Sequence, residues 1–123
     1  MMQISDIQVQ AEVEFLPRFS DAIKQVFAYH MTITNNSDED IKILSRFWEV
    51  TDGNEKIQHV KGEGVVGKKP TIAPGDSFEY TSSVAIDTDV GFMSGVFYAM
   101  ANAGELISIP IDLFTLKVPN KLN

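Results

Sequence analysis

From Ile7 to Phe15 apolar and polar residues alternate without a break, with Ile7, Val9, Ala11, Val13 and Phe15 on one parity and Gln8, Gln10, Glu12 and Glu14 on the other. That period of two is the mark of a half-buried strand. A polar connection over residues 17–24 follows. Phe27, Tyr29, Met31 and Ile33 then alternate with Ala28, His30, Thr32 and Thr34 and stop at Asn35-Asn36-Ser37-Asp38, which predicts a second strand and a turn. Residues 41–51 form a third strand with apolar residues on both parities, Ile43 and Phe47 against Leu44, Trp48 and Val50, a pattern expected of a central position. Asp52-Gly53 is a hairpin signal into a fourth strand over 55–61. Beyond a glycine-rich segment, strands are expected over 76–86, 92–101 and 106–118, with turns at 87–91 and 102–105. The last strand changes parity, from Ile107, Ile109, Ile111 and Leu113 to Phe114, Leu116 and Val118. A bulge or a switch of sheet near Pro110 to Asp112 would reconcile the two sets. No apolar period of 3.6 persists for three turns. Seven strands joined by turn chemistry predict an all-β, open two-layer β-sandwich.

At 123 residues the chain fits one domain, residues 1–123, with one core. It has no cysteine, so disulfides, thiol nucleophiles and cysteine metal sites are excluded, in keeping with a reducing cytoplasm. The N-terminus has no basic stretch followed by an apolar one, and no apolar run approaches the length of a membrane span, so a cytoplasmic protein with no membrane partner is expected. A formal charge of -7 argues against nucleic acid, whose phosphates require clustered lysine and arginine. Locally the balance differs, because Lys61, Lys68 and Lys69 place three of the ten basic residues on the glycine-rich segment.

That segment carries Gly62, Gly64 and Gly67 in the spacing G-x-G-x-x-G. A dinucleotide fingerprint needs a helix to open at the third glycine, so that its N-terminus faces the pyrophosphate. Here Pro70 and Pro74 follow, and Pro74-Gly75 fits the central pair of a type II turn, so a loop between strands is expected instead. Its backbone N–H groups could cradle an anion, with Lys68 and Lys69 adding charge. Alternatively the glycines supply positive φ for a long turn and the lysines protect a sheet edge. Val65 and Val66 either plug the sandwich or form an exposed contact patch. As neighbours in extended chain they are expected to split, one inward and one outward.

Trp48 is expected in the core, with a cation-stacked surface formed with Arg46 as the other reading. Metal binding has little support, since His30 and His59 are far apart and the acidic groups at 38–40 and 87–89 lie in turns. Asn35-Asn36-Ser37 matches a glycosylation acceptor but reads as a turn without a secretory signal. Ser94 lies in Gly91-Phe92-Met93-Ser94-Gly95, which is not a nucleophile elbow, and Glu12 and Glu14 share one solvated strand face rather than a cleft. No enzymatic site is expected.

The run Ser45-Arg46-Phe47-Trp48-Glu49-Val50-Thr51-Asp52-Gly53, the segment Val60-Lys61-Gly62-Glu63-Gly64-Val65-Val66-Gly67, Pro70, Pro74-Gly75, Phe78-Glu79-Tyr80-Thr81-Ser82, Thr88, Gly91, Met93 and Gly95 together resemble the ApaG family, also called CorD. The likeness extends from about Phe27 to Pro119. It implies a fibronectin type III-like, immunoglobulin-like sandwich that serves in protein contacts and has no established enzymatic activity. It also implies an association with cobalt and magnesium handling, and pyrophosphate at the glycine motif. The chain departs from the family pattern at Asp89, where proline is usual, and at Phe97, which takes a tyrosine position while Tyr98 and Met100 stand one residue late. Lys68 and Lys69 are not family positions.

The expectation is a non-enzymatic module that binds a protein partner through Gly62, Gly64, Val65, Val66, Gly67, Lys68, Lys69 and Arg46, without cofactor, as a monomer or weak homodimer. A sensor of pyrophosphate or a nucleotide polyphosphate at the same loop is the alternative.

Overall fold

A computed structural model describes residues 3–102 and 104–119. Eight strands follow in order: β1 (Ile7–Phe15), β2 (Gln25–Asn35), β3 (Ile41–Asp52), β4 (Ile57–Glu63), β5 (Thr71–Ile72), β6 (Ser77–Ile86), β7 (Val90–Ala101) and β8 (Leu106–Lys117). Only two single 3-10 turns, Ile4–Asp6 and Pro17–Phe19, accompany them among the described residues. No helix there is long and apolar enough to cross a membrane. The strands form two antiparallel sheets, β1-β2-β6 and β4-β3-β7-β8, with β5 also paired to β3. Seven strands were expected; the eighth is β5, whose two residues are too short to show a period.

The two sheets pack apolar face to apolar face, and the alternation in β1 and β2 runs as the sequence pattern requires. In β2 Phe27, Tyr29, Met31 and Ile33 are buried, while His30, Thr32 and Thr34 face the other side. Trp48 lies at the centre of the core, 1% exposed, with ring centroids at 5.3 Å from Tyr29, 5.9 Å from Phe114 and 6.2 Å from Phe97. Gly95 stands opposite Trp48 in register. A Cβ there would run into the Phe47 carbonyl oxygen and press on the indole ring, so close approach of β7 to β3 requires glycine at this position.

Two bulges set which side chains face inward. In β8 the pairing slips so that Asp112 and Leu113 both lie opposite Ser94, which turns Leu113 outward and carries burial from Ile109 and Ile111 over to Leu116. The parity change near Pro110 is therefore a bulge, and β8 remains an edge strand. In β3 the slip falls at Leu44: Ile41 and Ile43 are buried before it, Trp48 and Val50 after it. The apolar residues on both parities of β3 thus reflect a bulge rather than burial of both faces. In β7, Phe97 is fully buried and Tyr98 is outward at 43% exposure, so no bulge brings Tyr98 to the inner face.

The hairpin at Asp52 also differs from a two-residue turn. Positive φ falls on Glu55 rather than Gly53, and the buried Asp52 carboxylate accepts the N–H groups of Asn54 and Lys56 at 2.8 and 2.9 Å.

Two buried polar atoms have no hydrogen-bond partner among the described residues, Trp48 Nε1 and the Tyr80 hydroxyl. Burial pushes the Tyr80 phenol above its ordinary range, nearby Tyr29 adds to the rise and Arg46 opposes it. Above a pH of about 10 the unfolded chain therefore releases this proton while the folded chain keeps it. The Tyr80 contribution is complete below that pH and is lost as the pH rises. We expect Tyr80→Phe to leave stability at neutral pH nearly unchanged and to flatten the alkaline limb of stability against pH, measured by urea unfolding. Trp48→Ala should cost about 3 to 5 kcal/mol in the same assay, as truncations of large core side chains do.

Candidate functional site

The glycine motif begins inside a strand. Gly62 is part of β4, opposite Arg46 in β3, and its missing side chain makes room for the Arg46 guanidinium, which lies where a Cβ would be. Arg46 Nη1 donates to the carbonyl oxygens of Gly64, at 2.9 Å, and Glu63, at 3.2 Å. Arg46 and Trp48 share a strand parity, yet the arginine serves as a brace under the loop and the indole is in the core.

Beyond Glu63 the edge of β3 changes partner. Leu44 accepts the Gly64 N–H at 2.7 Å, and the next residue, Ile43, donates its N–H to the Pro70 carbonyl at 2.9 Å. Adjacent residues of β3 therefore hold positions 64 and 70, and the residues between them must leave the sheet edge. They do so as a tight hairpin in which Val65 and Lys68 exchange both backbone bonds, at 2.7 and 3.0 Å. Its two central residues, Val66 and Gly67, have φ of 44° and 79°. Positive φ at both central positions is the requirement of a type I′ turn, for which glycine and asparagine are suited and a β-branched residue is not.

Each predicted residue of the motif thus has a place. Gly64 is buried with φ of 63°, and a Cβ there would strike the Lys68 carbonyl oxygen. Val65 is fully buried and Val66 is 48% exposed; the expected split is present, but it comes from the turn, with Val66 left-handed at its tip, and not from extended chain. Lys68 and Lys69 are exposed, and Lys69 Nζ lies 3.3 Å from Glu63 Oε1. The Ala73–Asp76 turn closes with Asp76 N–H on the Ala73 carbonyl at 3.0 Å and Gly75 at φ of 84°, as a type II turn does.

Residues the sequence did not mark complete the site. Asn35, fully buried, donates through Nδ2 to the carbonyls of Glu39 and Ile72 at 2.7 and 2.8 Å, and its Oδ1 accepts from Ser37. It ties β5 to the end of β2 and so fixes the chain where it returns from the hairpin. On the outer face of the larger sheet, Ser45, Phe47, Lys61, Glu63 and Tyr98 line a groove of about 480 Å³ beside the hairpin. The two histidines lie on different sheets, His30 bonded to Thr81 and Glu79 and His59 to Glu49. Among the described residues no three His, Asp or Glu side chains gather as a metal site would require.

The profile of the ApaG domain covers residues 18–101. The chain belongs to the ApaG family. Protein ApaG of Afipia carboxidovorans is 43% identical over 116 residues, 93% of this chain and 89% of that one. Protein ApaG of Bordetella pertussis is 39% identical over 120 residues, 96% of this chain and 92% of that one. The crystal structure of an ApaA protein from Bordetella pertussis superposes with a TM-score of 0.91 at 38% identity, covering 94% of this chain and 95% of that chain. The ApaG profile takes in the whole hairpin and both glycine turns but excludes β1 and β8.

The two loop glycines should respond differently to a methyl group. Gly67 has open space around its would-be Cβ, so Gly67→Ala should cost only the left-handed backbone penalty, about 1 to 2 kcal/mol. Gly64→Ala adds a backbone collision and should cost at least about 3 kcal/mol, with chemical denaturation of both variants as the measurement.

Proposed function

We propose that the protein is a non-enzymatic binding module that presents its glycine hairpin and the adjoining edges of β3 and β4 to a protein partner. The observation that carries this reading is Val66. A β-branched residue at positive φ costs on the order of 1 to 3 kcal/mol, and such strain gathers where function requires it. The buried neighbour Val65 serves the core; the exposed Val66 side chain does not, and contact with a partner is the use it fits. The scaffold supports the same reading. β4 pairs with β3 instead of crossing to β6, so the sheets contain β1-β2-β6 and β4-β3-β7-β8, a strand order we assign to the fibronectin type III-like class of immunoglobulin-like sandwiches. The cysteine-free composition suits a cytoplasmic setting.

Lys68 and Lys69 favour the alternative, pyrophosphate or a nucleotide polyphosphate at the loop. Against it, the N–H groups of Gly64, Val65 and Lys68 are already donated to carbonyls, and Lys69 shares its charge with Glu63. An anion nest draws on undonated N–H groups.

Two single substitutions and one ligand test this reading. Val66→Asp should melt within a few degrees of the parent and lose partners captured from lysate, because an exposed change has little effect on the fold. Val65→Asp should unfold the protein, since it buries an unpaired charge. An unchanged set of captured proteins with Val66→Asp rejects the hairpin as the contact surface. Pyrophosphate should leave the melting temperature in place; a rise of several degrees that Lys68→Ala with Lys69→Ala removes would instead establish the anion reading.

A further inference from the structure

The outer face of the larger sheet carries an apolar stripe that the core does not need. Phe47 is half-buried there, and Tyr98, Met100 and Leu106 are exposed at 43%, 36% and 72%. Cross-strand register places them side by side: Ser45 opposite Tyr98, Lys42 opposite Met100, and Met100 opposite Leu106. At the hairpin end the stripe opens into the groove lined by Ser45, Phe47, Lys61, Glu63 and Tyr98.

The charge around this stripe runs against that of the whole chain. Lys42, Lys61, Lys68 and Lys69 stand along the β3 and β4 edge and on the hairpin, four of the ten basic residues in a chain of net charge -7. Of the carboxylates on this sheet, Glu49 bonds His59 at 3.1 Å and Glu63 pairs with Lys69 at 3.3 Å, while the exposed Asp40 and Glu105 flank Lys42 and Leu106 at the end away from the hairpin. Lys61 Nζ lies 6.0 Å from the centre of the Phe47 ring, so it edges the groove as a cation over an aromatic floor. Opposite this edge, the outer face of β1-β2-β6 carries Glu12, Glu14 and Glu79, with His30 opposite Glu12 in register and bonded to Glu79 at 2.8 Å. The hairpin end of this face therefore sets Lys61, Lys68 and Lys69 beside exposed aromatic and aliphatic side chains, whereas the outer face of β1-β2-β6 is acidic.

Resting on the protein-binding reading above, we infer that the Phe47–Tyr98 groove accepts an acidic peptide segment with an aromatic or aliphatic anchor residue. The anchor occupies the groove between Phe47 and Tyr98, and its flanking carboxylates meet Lys42, Lys61 and Lys68. Charge complementarity of this kind steers encounter and excludes basic competitors, and aromatic anchors in pockets carry much of the affinity of such contacts.

The test is selection of a phage-displayed library of random short peptides against the full-length protein. Selected peptides should combine acidic residues with phenylalanine, leucine or methionine, and their binding should weaken as salt is raised. On addition of a selected synthetic peptide, amide shifts in NMR spectra should concentrate at Ser45, Phe47, Lys61 and Tyr98. Tyr98→Ser should weaken binding by at least about tenfold with an unchanged melting temperature, as loss of an anchoring aromatic contact does. Lys42→Glu with Lys61→Glu should invert the charge preference of the selection. The inference is overturned if no peptide is enriched, if the enriched peptides are basic or uncharged, or if the shifts fall on β1-β2-β6 or in the cleft between β4 and β6. Capture of cellular partners that Val66→Asp abolishes but Tyr98→Ser and the lysine reversals leave intact would reject the acidic-peptide groove while leaving the hairpin reading in place.

Discussion

Everything at the candidate site depends on one competition for hydrogen bonds along the free edge of β3. The other edge is filled by β7 through most of its length, but this edge is shared by two short strands, β4 and β5, from a single stretch of chain. Leu44 and Ile43 are neighbours in sequence and bind residues 64 and 70. The bulge at Leu44 turns the backbone at that junction, and the intervening residues have no sheet partner except one another. A reversal that short needs positive φ at consecutive positions, and a residue without Cβ where the two arms of the hairpin meet. Gly67 and Gly64 meet those two demands in turn. The glycine motif is in this sense a consequence of strand exchange at an edge.

The surrounding packing makes the hairpin rigid. Val65 plugs the core on one side, Arg46 braces the Glu63 and Gly64 carbonyls from beneath, and Asn35 holds the returning strand through the Ile72 carbonyl. Each fastening belongs to a different part of the fold: the core, the inner face of β3, and the end of β2. Opening the hairpin would leave a buried valine side chain and several backbone groups without their partners, each of which carries a penalty. That over-determination is what lets Val66 remain in a backbone region that its β-branched side chain disfavours.

Much of this was legible in the alternation of the chain, and the failures have definite causes. β1 and β2 keep one inward parity from end to end, so their faces follow directly from period two. In β8 the parity change was visible because Leu113 and Phe114, both apolar, stand next to each other, and a bulge answers it. The same event in β3 was masked, since Leu44 and Phe47 supply apolar residues on the outward parity and imitate a strand buried on both faces. β5 has two residues and no period to show. The glycine positions announced a loop with positive φ, whereas Val66 at positive φ runs against local preference and follows only from the register imposed by β3. The pairing of Lys69 with Glu63 and the brace from Arg46 depend on that same register and are not visible at the level of composition.

The backbone bookkeeping of the hairpin also bears on what kind of ligand the site suits. An anion bound by a loop needs N–H groups that converge and are not already donated. Here Gly64 donates to Leu44, while Val65 and Lys68 donate to each other, because those bonds are what close the excursion from the β3 edge. The hydrogen bonds that make the loop stiff thus withdraw three of its N–H donors, those of Gly64, Val65 and Lys68, from any anion cradle. Stiffness of this kind favours a different use, since a contact surface gains from side chains that lose little freedom on binding. Val66 at the tip and the Phe47–Tyr98 groove on the adjoining outer face are both positioned by β3. A partner engaging both would meet a preformed surface, with lysines at its border and the acidic sheet turned away.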